Sequence, residues 1–274
     1  MEAPRHGIIA KTTRAPLRAR GTGAAGRGAL LPAVAGAAAA DWPMFRLDAA
    51  RTGIVADAPV TGLEVAWSAE LAPGGSVDSS PAVVGQVVYV GDSLGVMHAV
   101  SAADGSELWR FETAGAIVSS PAVAGGLVLF GSVDRFLYAV RATDGGLVWC
   151  YRTRGPVLSS PAVAGDAVVF GSMDGRLCAL ALGDGSVLWR SEPGESLQGA
   201  PAIAGDTVLY GDDAGRMRAL SLADGSVRWE AQGAGKVVAA PTVSDDLVVF
   251  GLMGPSALRP PKLDYLVGLD LATG

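Results

Sequence analysis

Few side chains in this sequence combine a reactive type with a spacing that chemistry could use. The 274 residues hold two histidines, His6 and His98, and two cysteines, Cys150 and Cys178, 28 positions apart. A zinc or iron–sulfur site takes about four ligands at short spacing, and the usual activated nucleophile leans on a histidine, so this inventory argues against both. For the cysteines, a disulfide and two free thiols both stay open. Serine pairs stand at Ser79-Ser80, Ser119-Ser120 and Ser159-Ser160. No base accompanies them, so they read as polar lining and not as nucleophiles. The carboxylates of Asp104, Asp144, Asp184 and Asp224 could be imagined as calcium ligands, but each precedes a glycine, and Asp-Gly is first of all a turn former. Trp109, Trp149, Trp189 and Trp229 could stack on a flat cofactor. Their regular recurrence favours a structural role, with each indole packed between adjacent units. No catalytic, metal-binding or cofactor-binding residue is assigned, and no cofactor is expected.

What these residues share is a period. Pro81, Pro121, Pro161, Pro201 and Pro241 are each 40 residues apart, as are Gly91, Gly131, Gly171, Gly211 and Gly251. The four tryptophans and the four Asp-Gly pairs keep the same phase. A period near 40 built from short strands and turn dipeptides belongs to propeller blades and related arrays. In the unit 119–158, Ser119 to Ala124 forms a first strand whose Pro121 lacks an N–H, which places it at a sheet edge beside the central channel. Leu127 to Phe130 is an unbroken apolar run that must be covered on both faces, as between stacked blades. Phe136 to Val140 and Leu147 to Tyr151 follow, joined by Asp144-Gly145, a dipeptide suited to a type I′ hairpin turn. No segment has a helical apolar period long enough to bury a face. The fold expected is all-β, a propeller of four-stranded blades with five blades in this chain.

Composition agrees. Glycine and proline supply 38 and 16 residues, half the chain is hydrophobic, and only 18% is charged. That combination excludes a helical bundle and, with a mean hydropathy of +0.35, also excludes disorder of the whole chain. After residue 40 no apolar run reaches the roughly 20 residues of a membrane-spanning helix. Residues 1–40 differ: they carry Arg5, Lys11, Arg14, Arg18, Arg20 and Arg27 against one acid, Glu2, then an apolar run from Ala29 to Ala40. This is the pattern of a secretory signal cleaved before Asp41, or else a disordered Ala/Arg-rich leader from a misplaced start codon. Setting those residues aside takes the 21 basic and 27 acidic residues of the chain to 15 and 26, a net charge of −11. A body this acidic, without a basic patch interleaved with aromatics, is not expected to bind nucleic acid.

On these motifs the units resemble the PQQ-type propeller repeat. Residues 159–189 carry the pattern almost throughout, as Ser160-Pro161-Ala162-Val163, then Val169-Phe170-Gly171-Ser172-Met173-Asp174-Gly175-Arg176-Leu177-Cys178-Ala179-Leu180, then Asp184-Gly185 and Trp189. Asp41-Trp42-Pro43-Met44-Phe45-Arg46 and Arg51-Thr52-Gly53 are similar to the segment that often precedes the first blade, with Leu47 where many members carry glycine. The resemblance covers residues 41–274 and implies one of two functions. Quinoprotein dehydrogenases of this family hold PQQ and calcium with a vicinal cysteine pair and acidic ligands, none of which this sequence displays. The other class resembles the propeller component of the outer-membrane β-barrel assembly machinery, which binds proteins and catalyses nothing, although it is usually lipid-anchored through a cysteine that is missing near Ala40. A non-catalytic, exported scaffold with a protein partner is therefore expected, located in the periplasm, in the cell envelope or outside the cell. The alternative is a fragment of a PQQ-dependent dehydrogenase.

Three segments follow: a leader at 1–40, an N-terminal segment at 41–78 with an isolated blade strand around Trp67, and repeats at 79–274. The strand at Trp67 either completes the last blade and closes a ring of five, or the chain is part of a seven- or eight-bladed propeller. Near-identical units also expose where they differ. Differences gather in the second-to-third-strand turns, at Asp92, Asp134, Arg135, Asp212 and Asp213, and in the connections between blades, at Arg152, Arg154, Glu195 and Lys236. These nine form the expected partner surface, unless they are an ordinary solvated loop set.

Overall fold

The computed structural model describes residues 41–51, 65–192, 194–254 and 265–274. All lie in one compact unit, Ala40–Gly274, so the leader falls outside the described residues. Nineteen strands occur among them and no helix. Blade 1 is β1 (Ala82–Val84), β2 (Val87–Gly91), β3 (Val96–Ser101) and β4 (Glu107–Glu112). Blade 2 is β5 (Ala122–Ala124), β6 (Leu127–Gly131), β7 (Phe136–Arg141) and β8 (Leu147–Arg152), and blade 3 is β9 (Ala162–Ala164), β10 (Ala167–Gly171), β11 (Leu177–Ala181) and β12 (Val187–Arg190). Blade 4 is β13 (Ala202–Ala204), β14 (Thr207–Gly211), β15 (Arg216–Ser221) and β16 (Val227–Gln232). Blade 5 has β17 (Thr242–Ser244), β18 (Leu247–Leu252) and β19 (Tyr265–Asp270). Each sheet is antiparallel in sequence order, and the inner strands β1, β5, β9, β13 and β17 neighbour one another in succession. This is a β-propeller.

The register repeats with the sequence. Ala82 faces Tyr89, Ala122 faces Leu129, Ala162 faces Val169 and Ala202 faces Leu209. Each four-stranded blade also carries a β-bulge in the same place, between Ala99/Val100 and its three equivalents, which sets Trp109, Trp149, Trp189 and Trp229 opposite Ala99, Ala139, Ala179 and Ala219. The core is a stack of layers between blades. One layer joins Leu129, Leu137 and Trp149 of blade 2 to Val168, Phe170 and Leu180 of blade 3, and β6, β10 and β14 are buried along their whole length.

Each indole reaches over the next blade. The Nε1–H of Trp67, Trp109, Trp149, Trp189 and Trp229 donates to the carbonyl of Ala102, Ala142, Leu182, Leu222 and Leu271, at 2.7–2.9 Å. The ring lies flat on the glycine of that blade's turn: a Cβ on Gly185 would sit 2.7 Å from Trp149. The period-40 glycine at the end of the second strand is likewise a contact surface, since a Cβ on Gly131 would meet Val157 at 2.4 Å and one on Gly211 would meet Val237 at 2.2 Å.

Two expectations need correction. The Asp-Gly turns are not type I′, because Gly145 has φ +71° while Asp144 is not among the residues of positive φ. Gly145 N–H instead donates to Arg141 O at 2.9 Å, closing a longer loop, and Asp144 Oδ1 accepts from Gly146 N–H. Trp67 takes the packing position of a blade tryptophan, but residues 65–70 form no strand, and no described residue pairs with the open edge of β19. Blade 5 therefore has three strands among the described residues, and Leu63 and Glu64 of the expected strand lie outside them.

Replacing Trp149 by alanine removes a buried indole and its hydrogen bond from the layer between blades 2 and 3. The expected loss is about 3–5 kcal/mol of stability, read from thermal or denaturant unfolding. An unchanged midpoint would contradict the packing role.

Candidate functional site

Two regions could carry function: the axis lined by the inner strands, and the face formed by the second-to-third-strand turns with the blade connections. On the axial side, the inner edges of the blades are bonded by the chain's own residues 42–51. Trp42 exchanges main-chain hydrogen bonds with Val83 of β1, Val123 N–H donates to Pro43 O, Ile203 N–H to Ala49 O and Val243 N–H to Ala50 O. Those amides belong to inner edge strands, which otherwise have no partner on that side. Arg51 supplies the rest. Its side chain is fully buried, with Nη2 donating to Ser160 O and Pro161 O of blade 3 at 3.2 and 3.1 Å, Nε to Pro201 O of blade 4 at 3.1 Å, and Nη1 to Phe45 O at 2.6 Å. Burial pushes its pKa down, the nearby Asp48 carboxylate pushes it up, and the result of about 10 leaves it cationic at neutral pH. Segment 42–51 thus touches the inner edge of all five blades.

The serine pairs belong to the same inner shell. Ser79, Ser119 and Ser159 Oγ accept the N–H of Gly91, Gly131 and Gly171, while Ser80 N–H donates to Ser120 Oγ and Ser120 N–H to Ser160 Oγ. They are hydrogen-bonded links along and between the inner strands, and all but Ser80 are buried, so the expected polar lining is spent on bonds within the protein. The cysteines are free thiols, Cys150 exposed and Cys178 buried, and burial pushes the Cys178 thiol up to about 12. Such a thiol is not a ready nucleophile.

On the second face, turns and connections interlock. Ile117 N–H donates to Asp92 O of its own blade, while Val133 N–H of the next blade donates to Ala116 O, and the pattern recurs with Val157, Met173, Leu197 and Asp213. Of the nine residues expected to form a partner surface, two are placed elsewhere. Asp92 and Asp212 are 1% exposed. Asp92 Oδ1 accepts from Leu94 and Val96 N–H and its Oδ2 lies 2.9 Å from His98 Nε2, whose ring Nδ1 lies 2.9 Å from Glu107. Asp212 does the same for Ala214 and Arg216 N–H and holds the Arg216 guanidinium at 2.8 Å. Both are internal clamps of their turns.

The others stay at the surface. Asp213 accepts from Lys236 Nζ at 2.8 Å and from Gln198, which brings two expected residues together. Asp134 accepts from Ala114 N–H, Phe136 N–H and the Tyr138 hydroxyl. Arg135, Arg152, Arg154, Lys236 and Glu195 are exposed, and Arg152 lies 6.0 Å over the Phe136 ring. Arg135 occupies, at φ +77°, the slot that Gly95, Gly175 and Gly215 fill in the other units.

The spaces between blades on this side carry residues that inspection of turns alone missed. Tyr151, Arg152 and Arg154 of blade 2 face Asp174, Arg176, Cys178 and Arg190 of blade 3 across a cleft of about 120 Å³. Blades 3 and 4 enclose about 380 Å³ between Arg190, Glu192, Tyr210, Arg216, Arg218 and Glu230, and blades 4 and 5 about 310 Å³ lined by Phe250, Leu252, Val267 and Leu269. The described residues contain no group of three or more His, Cys, Asp or Glu placed to hold a metal ion.

Five sheets bonded at their inner edges by one segment, with a tryptophan, a turn glycine and a bulge repeated in each complete blade, define a propeller of PQQ-type repeats. The chain belongs to the family described as outer membrane protein assembly factor BamB, whose family model matches residues 51–192 and 179–254. Its fold is similar to that of BamB from Moraxella catarrhalis, with a TM-score of 0.63 at 20% identity over 76% of this chain and 62% of that one. It is also similar to quinohemoprotein alcohol dehydrogenase from Comamonas testosteroni, with a TM-score of 0.68 at 17% identity over 88% of this chain and 49% of that one. In sequence it is 32% identical to a quinohemoprotein alcohol dehydrogenase of Comamonas testosteroni over 77 residues, 26% of this chain and 11% of that protein. The chain thus spans less than two thirds of each of these relatives.

Two expectations about stability follow from the axis. Arg51→Met leaves buried carbonyls of blades 3 and 4 without their charged donor and should lower stability by about 3 kcal/mol or more in denaturant melts. Leu47 sits at φ +76°, so Leu47→Gly should raise stability by about 1 kcal/mol, as should Arg135→Gly. A lower melting temperature in either glycine variant would contradict the strain.

Proposed function

We infer that this protein is a non-catalytic propeller scaffold of the cell envelope, exported from the cytoplasm, that binds another protein through its turn-and-connection face. The observation that carries this reading is the division of labour within the repeat. Residues 42–51 are bonded to the inner edges of all five blades, whereas seven of the nine residues singled out as varying between units stay at the surface on one face or in the clefts beside it. Membership of the BamB family supports an assembly role in the envelope. Among the described residues no helix is long and apolar enough to cross a membrane.

The test is capture of a native envelope partner by wild-type protein and by a variant with charges reversed at Arg135, Arg152 and Arg154, at matched melting temperatures. Exposed charges act on encounter more than on folding, so the variant should keep its stability and recover less partner. Equal recovery would remove this face from the reading.

The second reading, a fragment of a PQQ-dependent dehydrogenase, has in its favour the sequence match over 77 residues to a quinohemoprotein enzyme. Added PQQ and calcium are expected neither to raise the melting temperature nor to support dye-linked oxidation of alcohols or sugars. Saturable stabilisation with turnover would establish the enzyme instead.

A further inference from the structure

Because the four inter-blade clefts are built from equivalent positions of one repeat, their chemistry can be compared directly within the chain. Between blades 1 and 2 the space is filled by aromatic rings, with Phe111 at 5.4 Å from Tyr138 and 6.0 Å from Phe130. Between blades 3 and 4, Arg216 pairs with Asp212 and Arg218 with Glu230, and Arg190 shares the cleft with Glu192 and Glu230. Between blades 4 and 5 the lining is apolar. Only the cleft between blades 2 and 3 gathers charge of one sign, with Arg152, Arg154, Arg176 and Arg190 around a single acid, Asp174.

That acid forms no ion pair with any of them and offsets one charge of the four. Asp174 Oδ1 accepts from Arg176 N–H and Oδ2 from Arg154 N–H, so its carboxylate is held by the main chain at the floor of the cleft. Among the described residues, no ion pair engages the four guanidinium groups. Arg190 donates to the Tyr151 hydroxyl at 3.4 Å, and Arg152 rests on the Phe136 ring. At the positions equivalent to 152, 154, 176 and 190, the cleft between blades 1 and 2 places Glu112, Ala114, Phe136 and Cys150, and the cleft between blades 3 and 4 places Glu192, Gly194, Arg216 and Glu230. Blade packing therefore does not demand arginine at any of the four. Planar guanidinium groups with free donors are suited to carboxylate oxygens, which they take two at a time.

We propose that the cleft between blades 2 and 3 is an anion site that receives an acidic segment of the partner polypeptide, with its Asp or Glu carboxylates on Arg152, Arg154, Arg176 and Arg190. A polypeptide is favoured over a small free oxyanion because the charge runs along an open seam. Arg190 lines both this cleft and the next one, so a chain that carries several carboxylates can engage the four groups together along the seam. In a body whose net charge is −11 outside residues 1–40, this local reversal of sign also selects where an acidic segment can approach.

The proposal rests on the scaffold reading and is tested apart from it. Fluorescence anisotropy is measured on the full chain with a labelled peptide alternating glutamate and glycine, and with its glutamine analogue. The glutamate peptide should bind in a salt-sensitive manner and the glutamine peptide should not. Arg154→Glu with Arg176→Glu should weaken binding by about tenfold or more, while Arg110→Glu with Arg141→Glu, the same charge change outside the cleft, should leave it within about twofold. Arg154→Gln with Arg176→Gln serves if the reversed pair fails to fold, and it should show the same loss to a smaller degree. No binding of the glutamate peptide, equal binding of the glutamine peptide, or equal weakening by the distant pair each overturns the proposal. So does binding of inorganic phosphate alone, lost with Arg154 and Arg176, which would make the cleft a small-oxyanion site. Wild-type protein that captures an envelope partner yet ignores the peptide would remove this site and leave the scaffold reading standing.

Discussion

The structure depends on how the inner edges of five sheets are closed. An inner strand of three residues has an amide facing the axis, and its proline removes one donor but not the next. Residues 42–51 answer this with a single segment of tight turns whose carbonyls accept from Val123, Ile203 and Val243 and whose Trp42 pairs with Val83. At blade 3 the main chain gives way to a side chain, and the buried Arg51 binds carbonyls from two neighbouring blades and from Phe45. A guanidinium suits this place because its five donors are fixed in one plane and it carries the charge that makes each bond strong. Its desolvation is tolerable only because four carbonyls converge on it, so the segment and the blades hold each other in place.

Away from the axis the same blades are joined by a second mechanism, which repeats. Indole on turn glycine, bulge opposite alanine and connection residue against strand-end glycine are three steric fits, each needing one small residue to admit one large one. The tryptophan Nε1–H then finds a carbonyl of the next blade, so a bulky amphipathic side chain is buried without an unpaired donor. Because each fit lies between consecutive blades, cohesion from this source is local. The axial segment is what joins blades that are not neighbours.

These two mechanisms explain what the sequence disclosed. Trp149, Gly131, Pro121 and Asp144-Gly145 have equivalents in four consecutive units, because each makes a contact that the blade repeats, so a 40-residue period exposes them and, with them, the blades. The Asp-Gly turn was placed correctly but its type was not, because the carboxylate binds an amide two residues on and so favours a longer loop. The axial segment was invisible to this logic. It occurs once, its partners lie up to 196 positions away, and its trace in the sequence was the family resemblance of Asp41 to Arg46 and Arg51 to Gly53, which says nothing of where the segment packs. Asp92 and Asp212 show the converse error. They differ from Ser132 and Ser172 of the other units, but the difference is compensated inside the protein by His98 and Arg216, so departure from the repeat did not mean exposure.

That error sharpens what variation within a repeat can mean. A residue that departs from its equivalents and finds an internal partner, as Asp212 does in Arg216, has exchanged one stable turn for another. A set of residues that departs together and finds no ion-pair partner is different, because the blades could have been built without it. Arg152, Arg154, Arg176 and Arg190 are such a set. Three come from connecting or outer positions that leave the layers between blades untouched, and four cations in one cleft repel one another. The fold gains nothing from that repulsion, and the neighbouring blades show that Glu192, Gly194 and Glu230 serve the same positions structurally. Uncompensated like charge in a repeat is therefore a better guide to a binding site than variability alone, since it marks residues whose counterpart must come from outside the chain.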